Sequence, residues 1–349
     1  ILSGLVGSEM CIRDRHNTMT KEERIRAAIA GEKPDTIPFS FWSHFPETDL
    51  DPEAIAEETH RFALEYDIDL VKTMNNGMYS VEDFGAVVDY SGIAGGGVAK
   101  LREIPVKTTR DWEVLEPASI ETGALKRELV YLEKLLEKMK GLHTPVVFTV
   151  FSPLTTAHKL CGGSLNRYIR EEGGEALKKA LSAIAQTTAQ LAARAIELGA
   201  SGIFLASQMS NSSMMSDEEY AEYGKPYDLS VLKAAEQGWC NILHAHGNDI
   251  LFDVLKDYPV QIFNWHVWES LPDIEEGSAA LDKCILGGME RMDITKGDKN
   301  RVRSQIFHTI RATGGKNLIL APGCVVRHPL NKSMLSYIQS AKREIEQRL

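Results

Sequence analysis

No apolar run in the 349 residues approaches the roughly 20 that a membrane-spanning helix needs, so no membrane partner is expected. A basic excess is also missing. Thirty-nine lysines and arginines face 49 acidic residues, a net charge of -10, which argues against a nucleic-acid partner. Cysteine is sparse: the five (Cys11, Cys161, Cys240, Cys284, Cys324) are scattered, with no close spacing to suggest a disulfide framework. A reduced, cytoplasmic setting fits that pattern. No Gly-x-Gly-x-x-Gly follows the first strand, which counts against a dinucleotide-binding domain. What remains is ordinary globular composition, 43% hydrophobic and 25% charged, ample for a large core.

Residues 1–18 differ in character from the rest of the chain. The apolar Ile1–Leu5 stretch precedes the charged Arg13-Asp14-Arg15, the reverse of a signal peptide. Met19 reads as a start, Thr20 as a helix cap and Glu23 as the other half of a capping box. Residues 1–18 are therefore expected to be a non-native extension, and residues 19–349 a single domain.

Along that domain, short apolar strands alternate with amphipathic helices. Strands are predicted at 37–42, 69–74, 145–151, 202–207, 240–246, 260–266, 283–289 and 318–324. Helices are predicted at 20–31, 52–66, 122–140, 154–160, 164–171, 174–198, 216–237, 248–257, 298–313 and 331–348, with a further one between 266 and 283 and a small hairpin insert within 79–107. Continuous apolar strands separated by helices imply a parallel sheet covered on both faces. Eight such units point to an α/β fold, a single (β/α)8 TIM barrel. A doubly wound open sheet is the alternative.

Barrels place their chemistry at the carboxyl ends of the strands. His44, Asn75, Ser152, Ser207 with Gln208, His244 with His246, His266, Glu290 with Arg291, and Cys324 all fall there. Residues two apart on a strand share a face, so His244 and His246 can grip one metal ion. With Cys324, which follows Pro322-Gly323, they make a candidate N,N,S zinc site with an open fourth position. Zinc there would hold a thiol as thiolate, or activate water. The competing reading of His-x-His is one core histidine and one loop histidine, and that of Cys324 a buried hydrophobe. Trp42, Met74, Ser152, Ser207, Gln208 and His266 are the candidate substrate-facing set. His266 stands between Trp265 and Trp268, as part of an apolar wall or of core packing. Lys72, inside a strand, must reach the mouth or pair with an acid.

Several segments resemble the uroporphyrinogen decarboxylase superfamily: Thr20–Pro38, Phe151–Gly163, Ser216–Lys225 running into Pro226-Tyr227, Gly287–Asp298, and Ile319–Cys324 with the helix after it. The resemblance spans 19–349 and implies the (β/α)8 barrel. It also implies one of two activities. The decarboxylase branch binds substrate carboxylates through an arginine-rich segment after the first strand, where this chain reads Trp42-Ser43-His44-Phe45-Pro46-Glu47. Its aspartate falls on Asn75 or Asn76, its tyrosine near His158 or Lys159, and its closing histidine on Cys324. The zinc-dependent corrinoid and coenzyme M methyltransferases carry His-x-Cys-Gly and Gly-Cys. This chain carries His244-Ala245-His246-Gly247 and Gly323-Cys324, with histidine for the first cysteine.

The expected function is a methyl- or alkyl-transferase with zinc on His244, His246 and Cys324, a small-molecule acceptor and a corrinoid protein as methyl donor. The alternatives are a decarboxylase on a tetrapyrrole-like or acidic substrate, with His44, Asn75 and His158 catalytic, and a non-catalytic barrel that binds a corrinoid or other small molecule. Superfamily analogy suggests a homodimer.

Overall fold

The structure, a computed structural model, describes residues 18–93 and 98–349. The expected extension, with Cys11, lies outside the described residues apart from its last position. Among the described residues the strands are β1 (Val71–Lys72), β2 (Val87–Asp89), β3 (Lys100–Glu103), β4 (Val146–Phe151), β5 (Gly202–Ser207), β6 (Ile242–Ala245), β7 (Ile262–Trp265), β8 (Cys284–Met289) and β9 (Leu318–Pro322). Seven of them pair in parallel in the order β1-β4-β5-β6-β7-β8-β9, curling into a barrel-like sheet. β2 and β3 form a separate antiparallel hairpin, the expected insert. All six residues of β4, VVFTVF, are buried, as a strand covered on both faces requires. No helix among the described residues is long and apolar enough to cross a membrane.

The predicted first strand, 37–42, appears as a single bridge. Phe39 pairs in parallel with Leu320 of β9. The Ser40 amide donates to the Leu320 carbonyl at 3.0 Å, and the Leu320 amide to the Pro38 carbonyl at 2.8 Å. On the other side the Asp69 amide donates to the Phe39 carbonyl at 2.9 Å, just before β1. The segment thus closes the barrel between β9 and β1 without a full ladder. Pro38 has no amide to give, and the Phe39 amide is taken by the Asp69 carboxylate at 2.8 Å. The other oxygen of Asp69 meets the Arg24 guanidinium at 2.5 Å. Arg24 sits on the first helix, Lys21–Ile29, whose predicted capping box is present: the Glu23 amide donates to the Thr20 hydroxyl and the Thr20 amide to the Glu23 carboxylate.

The helix predicted over 174–198 runs from Glu175 to Leu198 and stops at Gly199, at a φ of 118°, where a side chain would be strained. Two other predicted helices differ. The one over 216–237 is two, Asp217–Tyr223 and Lys225–Ala234. Pro226, in the first turn of the second, cannot donate back across the joint. The one over 248–257 shrinks to Phe252–Leu255. Asp249 takes a positive φ, and Asp249 and Leu251 instead bond across to Ser212 and Ser210.

Candidate functional site

Three neighbouring strand ends converge at one side of the barrel mouth. β6 presents His244, with His246 just beyond it. β7 presents Asn264, with His266 beyond it, and β9 leads through Gly323 to Cys324. His244 and Asn264 are register partners across the β6–β7 ladder, which brings the His244 Nδ1 against the Asn264 Oδ1. The Asn264 amide in turn donates to the Leu286 carbonyl at 2.7 Å, which fixes its oxygen toward the ring. With Nδ1–H donated to that oxygen, Nε2 of His244 is free as a lone-pair donor. It lies 3.7 Å from the Cys324 Sγ, and the His246 Nδ1 lies 3.6 Å from the same sulfur.

His266 completes the group. One ligating atom from each of His244, His246, His266 and Cys324 can be chosen so that all four lie within 4.8 Å of one another. The His266 Nδ1 is 2.8 Å from a Glu269 carboxylate oxygen, while its Nε2 is buried without a hydrogen-bond partner. The residue expected in a substrate wall is therefore a fourth candidate donor. The signal that finds it is the strand period: Asn264 and His266 are two apart, as His244 and His246 are.

Electrostatics agree with a donor cluster. Burial pushes the Cys324 thiol up, but the three imidazoles, His244 foremost, hold it well below the usual thiol range. Burial keeps His244 neutral. Burial also opposes charge on His266, yet the Cys324 sulfur and the Glu269 carboxylate override it and raise the ring to about 9. Three borderline nitrogens and one soft sulfur are a donor set that zinc takes. Bonds of about 2.0–2.3 Å at tetrahedral angles set ligand atoms roughly 3.3–3.8 Å apart, and the two sulfur–nitrogen separations fall in that range. The orphaned Nε2 of His266 is the remaining sign that this cluster is shaped for a ligand.

Gly323 is what lets β9 end so close to β7. A Cβ there would lie 2.8 Å from the His266 Cα and 2.8 Å from the Trp265 carbonyl oxygen, main-chain atoms that cannot swing aside. Gly323→Ala should therefore push Cys324 away from His266 while leaving the barrel folded. We expect zinc affinity to fall about 10- to 100-fold with little change in the far-ultraviolet circular dichroism, measured by chelator competition on the same sample. Unchanged affinity would remove this role from the glycine.

The other residues singled out from sequence divide into two groups. His44, Trp42 and Lys72 belong to the mouth. His44 keeps an exposed edge, but the surrounding protein and then Lys72 hold its ring neutral, at about 4. Trp42 packs edge-on to Phe204 at 5.4 Å, and Phe204 stacks on His244 at 5.3 Å. Burial brings Lys72 down to about 7, opposed by Cys324. Met74 is buried, its amide donating to the Tyr131 hydroxyl at 3.1 Å.

The second group lies outside the four-residue cluster. Strand alternation turns Ser207 outward, where its hydroxyl bonds Tyr220 at 2.7 Å and Ser210 at 2.8 Å. Tyr220 and Tyr258 both donate to Asp228, and Ser152 is buried beside that carboxylate. The Asn75 Oδ1 accepts the Thr73 hydroxyl at 2.5 Å. Gln208 gives its amide to Thr155. His158 lies half-buried on the helix Pro153–Leu160, with its Nδ1 unpartnered. Glu290 caps the helix Arg291–Lys296 through its carboxylate. Cys161, Cys240 and Cys284 are free and buried, as expected of core residues.

Comparison with known proteins bears on this arrangement. The family model described as uroporphyrinogen decarboxylase (URO-D) matches residues 20–334. No curated protein matches the sequence. Among solved structures, a methyltransferase from Methanosarcina mazei superposes with a TM-score of 0.81 at 17% identity, over 94% of this chain and 99% of that one. A B12-independent methionine synthase from Shewanella, in complex with selenomethionine, superposes with a TM-score of 0.59 at 11% identity, over 90% of this chain and 95% of that one. At these identities the structural likenesses establish the shared fold.

Proposed function

The chain belongs to the uroporphyrinogen decarboxylase family, and from that premise we propose that it is a zinc-dependent methyl- or alkyl-transferase acting on a thiol or other small nucleophile at the barrel mouth. The observation that carries this reading is the convergence of His244, His246, His266 and Cys324 within 4.8 Å. The methyltransferase and methionine synthase neighbours share the barrel and suggest the reaction class. A corrinoid protein is the methyl donor this reading favours.

His244, His246 and Cys324 would hold the metal, with His266 as a fourth donor that an entering thiol would displace, since tetrahedral zinc has room for four ligands. Zinc in such a site supplies a Lewis acid that keeps a substrate thiol ionised at neutral pH. The protein's own part is orientation and exclusion of water. Asn264 fixes the His244 ring and Glu269 fixes the His266 ring, each by taking its Nδ1 proton, which leaves both Nε2 atoms facing the cluster. Trp42 and Phe204 wall the site with aromatic surface, so a bound nucleophile loses its water shell as it enters. His44, held neutral at about 4, adds a polar edge to the mouth without adding charge.

Decarboxylation of a many-carboxylate substrate fits less well. The loop after the first strand holds His44, Glu47 and Asp49 and no arginine, and such a substrate needs cationic clamps. The test is transfer: zinc-loaded protein, incubated with methylcobalamin and a panel of small thiols, should form the methyl thioether, detected by mass spectrometry. Cys324→Ala should lower the rate about 100-fold or more. Zinc-replete protein that methylates none of the panel, and instead releases carbon dioxide from a porphyrinogen, would replace this reading with the lyase.

A further inference from the structure

Lys72 is a buried amine with no carboxylate partner among the described residues; of their charged groups the Cys324 sulfur alone favours its protonation. It lies on β1 with 8% of its surface exposed. Its Nζ donates to the Thr73 carbonyl at 3.0 Å. It sits 4.8 Å from the centre of the Phe204 ring and 5.9 Å from that of Trp42. No carboxylate among the described residues pairs with it. An ammonium group carries three donors, so two are unspent.

Lys342, another deeply buried lysine, shows what a completed site looks like. Lys342, 3% exposed, gives its Nζ to the Thr36 hydroxyl at 2.8 Å, the Ile37 carbonyl at 2.7 Å and the Glu346 carboxylate at 3.4 Å. Every donor of Lys342 is met and its charge is balanced. Lys72 has one acceptor and two aromatic faces. Aromatic faces favour the charged amine, but they do not replace an anion, and an unpaired buried charge is costly.

We propose that Lys72 is the anion-recognising residue of the mouth, and that the substrate brings it a single carboxylate-type oxyanion. One ammonium with two unspent donors matches the two oxygens of one carboxylate. Phe204 offers one face to Lys72 and stacks on His244, so anion pocket and donor cluster share one wall. A short monoanion lying along that wall reaches both. The inference rests on the proposed function only in placing the substrate at the mouth.

Propionate and propionamide, nearly equal in shape and different in charge, are the probes. Binding to the full chain is followed by tryptophan fluorescence, as purified and after chelator treatment, with zinc content measured on each sample. Wild type should prefer propionate by about 10- to 100-fold, the worth of one charge-assisted hydrogen bond. Lys72→Met, which keeps the apolar stem, should lose the preference while melting cooperatively. Lys72→Arg should keep it. Equal binding of the two probes by wild type, no binding of propionate, or an unchanged preference in Lys72→Met would overturn the proposal. A protein that is zinc-free as purified, takes up none on addition and still prefers propionate would sink the zinc reading and leave this one standing. A zinc-loaded protein without the preference would do the reverse.

Discussion

Purified without a histidine tag, the protein should carry about one zinc per chain, and Cys324→Ala or His246→Ala should bind it about 100- to 1,000-fold more weakly. Apparent zinc-binding free energies in four-donor protein sites run to about 10–16 kcal/mol. One donor in four is then worth roughly 3–4 kcal/mol, or two to three decades of affinity. His266→Ala should show a loss of the same order. Glu269→Gln, which leaves the ring in place but weakens its anchor, should cost about 10- to 100-fold. Metal analysis and competition against a chromophoric chelator give both numbers. A folded protein that takes up no zinc would exclude the site altogether.

Zinc uptake should also release a proton. At neutral pH His266 lies below its raised value of about 9 and holds its proton, while the imidazoles hold the Cys324 thiol well below its usual range. A metal that uses His266 as a donor must expel that proton. About one proton per zinc is expected near pH 7, falling toward none as pH rises past about 9. Calorimetry in buffers of different ionisation enthalpy reads this directly. His266→Ala should abolish the release, which distinguishes a fourth donor from a bystander.

The second large effect concerns the fold. Asp69→Ala should destabilise the protein by about 3–5 kcal/mol, the cost of leaving a buried partner charge unpaired. Its carboxylate holds Arg24 at 2.5 Å on one oxygen and the Phe39 amide at 2.8 Å on the other. Arg24 retains Asp35 at 2.7 Å, so part of its charge stays compensated. The Phe39 amide has no such second partner. Urea unfolding followed by fluorescence would measure the loss, and a change under about 1 kcal/mol would show that the closing segment is held by packing alone.

Much of the barrel can be read from residues because its strands are short, apolar and separated by helices with clear signals. VVFTVF at 146–151 and the glycine stop after Leu198 are cases in point. The donor pair His244 and His246 is visible through the strand period, and Cys324 through its place after Pro322-Gly323. His266 reads from sequence as part of a wall because two tryptophans flank it, and its place among the candidate donors appears only in the structure. The shape of the first strand is hidden for a different reason: the carboxylate that takes the Phe39 amide is 30 residues away. The layer-facing roles of Ser207 and Ser152 are hidden likewise, since both depend on the distant Asp228 and Tyr220. Local pattern reports which residues end a strand; it does not report which way the last one turns.

The bridge at Phe39 also divides the mouth mechanically. β8 and β9 are joined along five register pairs, Ile285 to Met289 against Leu318 to Pro322, whereas the 37–42 segment meets β9 at one. Segments with few ladder bonds open at lower free energy than the strands beside them. His244 and His246 follow β6, which joins β7 along four register pairs, and Cys324 follows β9; Trp42 and His44 stand beyond the single bridge, where the Val326 amide donates to the Trp42 carbonyl at 2.9 Å. An incoming molecule therefore meets a rim of unequal tying, ladder-bonded on the side of the two histidines and Cys324 and bridge-bonded on the side of Trp42 and His44.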